Sequence, residues 1–371
     1  MAFAQRRVTS SGVVRWYATY FTPDRRQMVG GGYSTKCDAE RAADRLEKDA
    51  EGGVVADSGR RKITFAAYVE KFYWPAAQHL EPTTLAAYQS NLDRHFLPRF
   101  GQMRMANIAA SAVQAWVNEA SAAGLSPRSV VKYHTFLHAI FERAVIDQVT
   151  PINPCRHTVL PKLVNKPKTS ITPEQFEALL AEIPDEFRLM ALVAIETGMR
   201  WGELAALRPI EVDFSRNVVL VHRVVLEVPR KISGAKVGFV FRDYPKDNED
   251  REVMTGAELC RMIREHMLAH GKRDDDLLFS TGTGAPVSRN TFRTRVWLPA
   301  IERSGLRHHV RFHDLRGAHA SWLLAGGADL KVVMDRLGHR QITTTQQYLG
   351  SLPDAGERAL AAFESVRRRL L

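Results

Sequence analysis

The sequence predicts a multidomain chain, mainly α with small β-sheets, and three observations predict it. A strand-rich start runs into a single helix, helical periodicity then holds from Ile63 to about Thr150, and a proline-rich basic stretch leads into a longer block mixing helices with short strands. At 371 residues and 45% hydrophobic, the chain can bury several cores and is too long for one domain.

The segment Val13-Val14-Arg15-Trp16-Tyr17-Ala18-Thr19-Tyr20-Phe21 is rich in β-formers; Pro23-Asp24 turns it, and Gln27 to Val29 returns before Gly30-Gly31-Gly32. Thr35 with Asp38 is an N-cap signal, and Ala39 to Glu51 carries Ala42, Leu46 and Ala50 at helical spacing. One helix therefore packs on a small antiparallel sheet. Gly52-Gly53 and Ser58-Gly59-Arg60-Arg61-Lys62 read as a flexible basic coupler, so a first domain spans 1–60.

Four amphipathic helices follow, marked by Phe65, Tyr68, Val69 and Phe72, by Leu85, Tyr88 and Leu92, by Val113, Trp116 and Val117, and by Val130, Tyr133, Leu137 and Ile140. Pro82 starts the second, Pro98 to Gly101 breaks the chain, and Gly124 to Pro127 precedes the last; a bundle over 61–155 is expected. Prolines and lysines from Pro151 to Lys168 show no helical period, and 156–169 read as a linker. Thr172-Pro173-Glu174 then opens a mainly helical domain with a small sheet over 170–371. Within it, Val237 to Tyr244 reads as a strand, Pro245 to Asp250 as a turn and Arg251 to Met254 as the return strand of a hairpin. At the end, Leu360, Phe363, Val366 and Leu370 are roughly in phase ahead of Arg367-Arg368-Arg369, a helix whose apolar stripe can dock on its own domain or on a neighbouring protomer.

The balance of 52 basic against 41 acidic residues leaves +11, a field that favours phosphate-rich partners and salt-dependent binding. Cys37, Cys155 and Cys260 stand far apart, with neither metal-ligand spacing nor an even disulfide set, which fits a reducing cytoplasm. No apolar run approaches the roughly 18 residues of a membrane span, and the start lacks a signal-peptide pattern.

The most chemical feature is an ordered set: Thr197-Gly198-Met199-Arg200, His313-Asp314-Leu315-Arg316, Leu337-Gly338-His339 and a lone Tyr348. A phosphodiester under attack gathers charge on two non-bridging oxygens, and two guanidiniums match that geometry better than lysines. Arg200 and Arg316 are the candidates. His313 can move a proton near neutral pH and His339 can bond the phosphate or assist. A phenol with an ordinary pKa of about 10 attacks only where cations stabilise its phenolate, which Tyr348 is placed by sequence to do. Glu203 and His319 read as structural. No Gly-rich phosphate loop and no acidic metal cluster occurs.

These blocks, in this order and spacing, resemble the tyrosine recombinase or phage integrase family, in particular the λ-type integrases of temperate phages, over roughly the C-terminal half. The resemblance implies a tyrosine recombinase catalytic domain with Arg200, His313, Arg316 and His339 around Tyr348 as nucleophile. It also implies a hairpin lysine that reaches the minor groove and protonates the departing 5′ oxygen. Lys246 matches best, although Asp247, Asn248, Glu249 and Asp250 follow where the family often has Thr or Ser; Lys231 and Lys236 remain rivals, and the histidines also qualify as the acid.

By the same resemblance, segment 1–60 is similar to an arm-type DNA-binding domain, with Arg15, Thr19, Arg25 and Arg26 as contacts. Segment 61–155 resembles a core-binding domain, with Arg94, Arg128, Lys132 and Arg143 touching phosphates. The implied activity is site-specific cutting and rejoining through a 3′-phosphotyrosine, without a cofactor, to integrate and, with an accessory factor, excise a phage genome. Implied partners are core and arm attachment sites on double-stranded DNA, a homotetramer on that DNA, a host DNA-bending protein and an excision factor, with no membrane. A resolvase or invertase, a type IB topoisomerase and a non-catalytic DNA-binding regulator are the alternatives.

Overall fold

The computed structural model describes residues 2–10, 12–21, 25–51, 62–164, 170–229, 238–243, 250–307, 310–339, 341–346, 364 and 367. The chain forms two compact units, Met1–Val164 and Asn165–Leu371. Lys231, Lys236, Lys246 and Tyr348, the turn expected around 245–249, and all of the tail stripe at 360, 363, 366 and 370 lie outside the described residues.

The first unit opens with three antiparallel strands in the order β1-β2-β3: β1 Phe3–Val8, β2 Val14–Phe21 and β3 Gln27–Tyr33. β1 went unread in the sequence because Gln5, Arg6 and Arg7 dilute its β-signal; pairing with β2, from Phe3 opposite Thr19 to Val8 opposite Val14, makes it a strand. β3 runs on through the glycines, where the sequence predicts a stop. A side chain at Gly30 would come within 2.7 Å of Leu46 Cδ1, so the missing Cβ lets helix α1 (Lys36–Glu51) close on the sheet. Ala42 and Ala43 seat that helix on Ala18, and Thr35 Oγ1 accepts the Asp38 N–H at 3.2 Å.

Thr19, expected to touch DNA, is instead fully buried. A register shift between Tyr17 and Ala18 interrupts the β2–β3 ladder. Ala18, Thr19 and Tyr20 are then buried in succession, which in a strand means cover on both faces. Arg15, Arg25 and Arg26 are exposed.

Beyond residue 62, helix Phe65–Tyr68 passes through a π turn, Val69–Tyr73, into Trp74–Ala76, and Pro82–Asn91 through Leu92–Phe96 into Leu97–Phe100. A third π turn, Arg293–Trp297, lies in the second unit. Each ends two residues before a proline: Pro75, Pro98 or Pro299. Proline has no N–H and its ring crowds the carbonyl four back, and a wider turn absorbs both defects. Pro98 therefore does not break the helix as its sequence predicts. α2 (Ala110–Ala122) and α3 (Pro127–Ile146, capped by Ser126) complete the bundle around Phe65, Phe96, Phe100, Trp116, Leu137 and Phe141. Residues 156–164, expected as linker, include a stretch tied to α2: Val159 donates to Gln114 Oε1 at 2.8 Å and accepts from its Nε2 at 3.1 Å.

In the second unit a capping box of Thr172 and Gln175 starts α4 (Pro173–Ala181). Then come the deeply buried α5 (Asp185–Thr197) and the short α6 (Trp201–Leu204). Strands β4 (Val212–Asp213), β5 (Val218–Val221) and β8 (Arg251–Met254) form one sheet, and β6 (Val224–Glu227) with β7 (Phe239–Arg242) another. The expected pairing of the strand before 244 with the strand after 250 is thus corrected. β7 pairs back to β6 and β8 to β5, because upstream segments 218–221 and 224–227 supply apolar partners that a nearest-neighbour reading overlooks. Helices α7 (Ala257–Ala269), α8 (Asp314–Ala325), α9 (Leu330–Leu337) and α10 (Ile342–Gln346) follow. Among the described residues, no helix is long and apolar enough to cross a membrane, and no group of three or more His, Cys, Asp or Glu could hold a metal.

Candidate active site

Gly198, in the left-handed region, caps the end of α5, and two residues later Arg200 caps the start of α6. The Arg200 N–H donates to Glu203 Oε2 at 2.8 Å and its Nη1 to Glu203 Oε1 at 3.0 Å, which fixes the guanidinium over the first turn.

The other side of the site is the end of α9. Gly338 adopts φ 64°, its N–H bonds Asp335 O at 2.9 Å, and the His339 N–H bonds Met334 O at 3.0 Å, a Schellman ending. That cap satisfies two helix-end carbonyls and leaves the next three, at the negative end of the helix dipole, for other donors. Three arginines take them in succession. Arg251 Nε donates to Arg336 O at 3.0 Å, Arg316 Nη2 to Leu337 O, and Arg200 Nη2 to Gly338 O at 3.2 Å. Arg316 also reaches Gly198 O through Nη1 at 2.7 Å. Residues 138 positions apart are thereby gathered onto one turn whose next residue is His339.

Glu203 sits among these cations at 1% exposure, with Arg251 Nη2 on Oε2 at 2.6 Å and Nη1 on Oε1 at 3.2 Å. Burial would raise its pKa, but Arg251 first and then Arg200 and Arg316 outweigh it and hold the carboxyl down at about 2. Arg251 was not singled out from sequence. Its signal is an arginine at an inward position of β8, in step with buried Val253.

The histidines differ. His313 precedes α8, whose first residue Asp314 is clasped by Arg311 (Nη2 to Oδ1, 2.7 Å). The ring has an exposed side, yet reduced solvation and then the field of Arg316, Arg289 and Arg311 push it toward the neutral form against Asp314. His339 is half-buried, and its Nδ1 shares a hydrogen bond with Oγ1 of the fully buried Thr345 at 2.9 Å. His319 is a core residue: Nδ1 donates to Ile195 O at 2.8 Å and Nε2 accepts from Arg336 Nε at 3.0 Å. Burial, then Arg336, drives its pKa down to about 4, so it stays neutral.

The structure therefore brings Arg200, Arg316 and His339 together, with His313 in the field of Arg316; Lys246 and Tyr348 lie outside the described residues. Arg200 is the more open of the two arginines, with 23% of its side chain exposed, whereas Arg316 is buried. Arg128, Lys132 and Arg143 fall on one exposed stripe of α3, where Arg143 pairs with Asp147 at 3.3 Å, and Arg94 is exposed on its π turn.

Residues 169–354, half of the chain, match the model of the phage integrase family, and residues 64–121 match the phage integrase N-terminal SAM-like domain. A putative prophage phiRv2 integrase of Mycobacterium tuberculosis is 27% identical over 356 residues, covering 93% of this chain and 91% of the relative. The integrase of Mycobacterium phage D29 is 27% identical over 357 residues, covering 92% and 91%. Among solved structures, the Tn1549 transposon integrase bound to circular intermediate DNA superposes with a TM-score of 0.68 at 18% identity, over 82% of this chain and 100% of that one. A λ integrase tetramer bound to a Holliday junction gives 0.63 at 16%, over 91% and 96%. These structures share the fold.

Proposed function

As a member of the phage integrase family, the chain is a site-specific tyrosine recombinase, and we propose that it inserts a temperate phage genome into a host chromosome, and excises it with an accessory factor. The observation that carries the site assignment is the convergence of Arg200 and Arg316 on the α9 turn that ends in His339.

In this reading Tyr348 Oη attacks the scissile phosphorus, a 3′-phosphotyrosine bond forms, and the bond to the 5′ oxygen breaks. Arg200 and Arg316 hold the non-bridging oxygens, where charge develops. His313, biased to the neutral form, accepts the phenol proton, and His339, braced by Thr345, bonds the phosphate. Lys246 protonates the departing 5′ oxygen. The phosphotyrosine keeps the energy of the broken bond, so a 5′ hydroxyl of a second duplex reverses the chemistry without ATP. Segment 1–60 reads arm sites through Arg15, Arg25 and Arg26, and segment 61–155 sits on core sites through Arg94, Arg128, Lys132 and Arg143. Two duplexes with two half-sites each call for a homotetramer, working in the cytoplasm with a host DNA-bending protein.

The test is a nicked suicide duplex from the junctions of the element, incubated with the protein and with Tyr348→Phe. A covalent adduct lost only in the variant is expected. DNA binding without any adduct would return the chain to the non-catalytic regulator.

A further inference from the structure

We propose that Arg251 is a positioning residue of the recombination reaction: it holds Glu203 charged and in register, and through Glu203 it aims Arg200 at the phosphate. The inference rests on the recombinase reading above. Arg251 acts through Glu203, since its Nε, Nη1 and Nη2 are bound to Arg336 O and to the two Glu203 oxygens.

Its guanidinium joins three elements. It starts from β8, grips both Glu203 oxygens on α6, and reaches Arg336 O at the end of α9. It also lies under the turn that carries His339, since a Cβ at Gly338 would stand 3.3 Å from Arg251 Cδ. Glu203 in turn holds Arg200 twice, through the backbone N–H and through Nη1. A buried carboxylate keeps its charge only while cations surround it. Remove Arg251, and burial gains on the remaining arginines. Glu203 then takes up a proton at a higher pH, and a neutral Glu203 no longer holds the Arg200 fork. A lysine keeps the charge but cannot span two carboxylate oxygens and a carbonyl in one plane.

The experiment measures single-turnover adduct formation on the nicked junction duplex from pH 5 to 9. It compares the full chain with Arg251→Lys, Arg251→Met and Glu203→Gln, with core-site affinity and a thermal melt beside each rate. Misaiming a clamp by an ångström costs on the order of 100-fold in rate, and we expect a loss of about 10- to 100-fold in both Arg251 variants at near wild-type DNA affinity. In Arg251→Met the rate should fall further on the acid side, and adding Glu203→Gln should erase that acid limb. A merely structural role would lower the rate equally at every pH. Wild-type rates in a folded Arg251→Met would overturn the proposal alone, as would a pH-independent loss. If Arg251→Met does not fold, Arg251→Lys decides by rate at retained affinity; if neither folds, Arg251 is a folding residue and the proposal falls. No Tyr348-dependent adduct from the wild-type chain would take down the recombinase reading, and this inference with it.

Discussion

Two arginine forks in the second unit have nearly the same geometry and opposite surroundings. At the centre of the site, Arg251 grips Glu203 at 2.6 Å with side chains 7% and 1% exposed. On the outside of α7, Arg261 clasps Glu258 and Glu265, with its own side chain 56% exposed. In water the ions are solvated with or without the partner, so the outer fork adds little. Inside, each ion has lost its water, and removing one strands the other. Bond length alone does not tell the two apart; burial does.

The largest expected effect breaks that contrast directly. Glu203→Ala leaves Arg251 buried without its counter-ion and should cost about 3–5 kcal/mol in urea unfolding, whereas Glu258→Ala should leave the midpoint unchanged. Equal shifts would mean that burial does not separate the two forks.

Next in size is a two-step acid response. His319 is buried and neutral with its pKa moved from 6.5 down to about 4. Between those values the unfolded chain binds the proton and the folded one does not, so stability is full above the upper value and falls as pH drops through the window. Glu203, lowered from 4.5 to about 2, repeats this in a lower window: its contribution is intact above 4.5 and lost toward 2. Urea midpoints from pH 7 to 2.5 should show both slopes. His319→Asn should shrink the upper one, to which His313, also pushed toward the neutral form, contributes as well, and Glu203→Gln should shrink the lower. Slopes that neither substitution changes would place the titration elsewhere.

The same contrast explains what could be read in advance. Gly198, Arg200, Arg316 and His339, which the end of α9 gathers, stand out in the sequence as an ordered set of residue types. The strand Val14–Phe21 and the helices around Phe65 and Leu137 were legible because their apolar spacing is local. Arg251 was not, since its partner Glu203 lies 48 positions away and nothing local marks an arginine for burial. The pairing of β7 with β6 and of β8 with β5 was hidden for the same reason: register belongs to long-range contacts. At the π turns proline marks a stop in the sequence, while the fold absorbs it by widening the preceding turn.

Exposed cations extend the comparison to DNA. Lys132 stands on the open stripe of α3, and if it neutralises one phosphate, Lys132→Ala should flatten the salt dependence of core-site binding by about 0.9 in log–log slope. Arg143→Ala should change it less, because Asp147 already holds that guanidinium at 3.3 Å. An unchanged slope for Lys132→Ala would remove this face of α3 from the DNA contact.

The smallest expected effect is at Thr19, the one proposed DNA contact that the fold encloses. Its hydroxyl has no hydrogen-bond partner among the described residues and no exposure. Thr19→Val keeps the shape, removes a buried polar atom, and should leave arm-site affinity unchanged while holding or slightly raising the melting temperature. Arg15→Ala, one pair from the end of the β1–β2 ladder and open to solvent, should weaken arm binding in a salt-dependent way. A loss of affinity in Thr19→Val as large as in Arg15→Ala would mean that DNA opens the sheet at the register shift between Tyr17 and Ala18, and that burial in the free protein does not decide which side chains of this domain meet DNA.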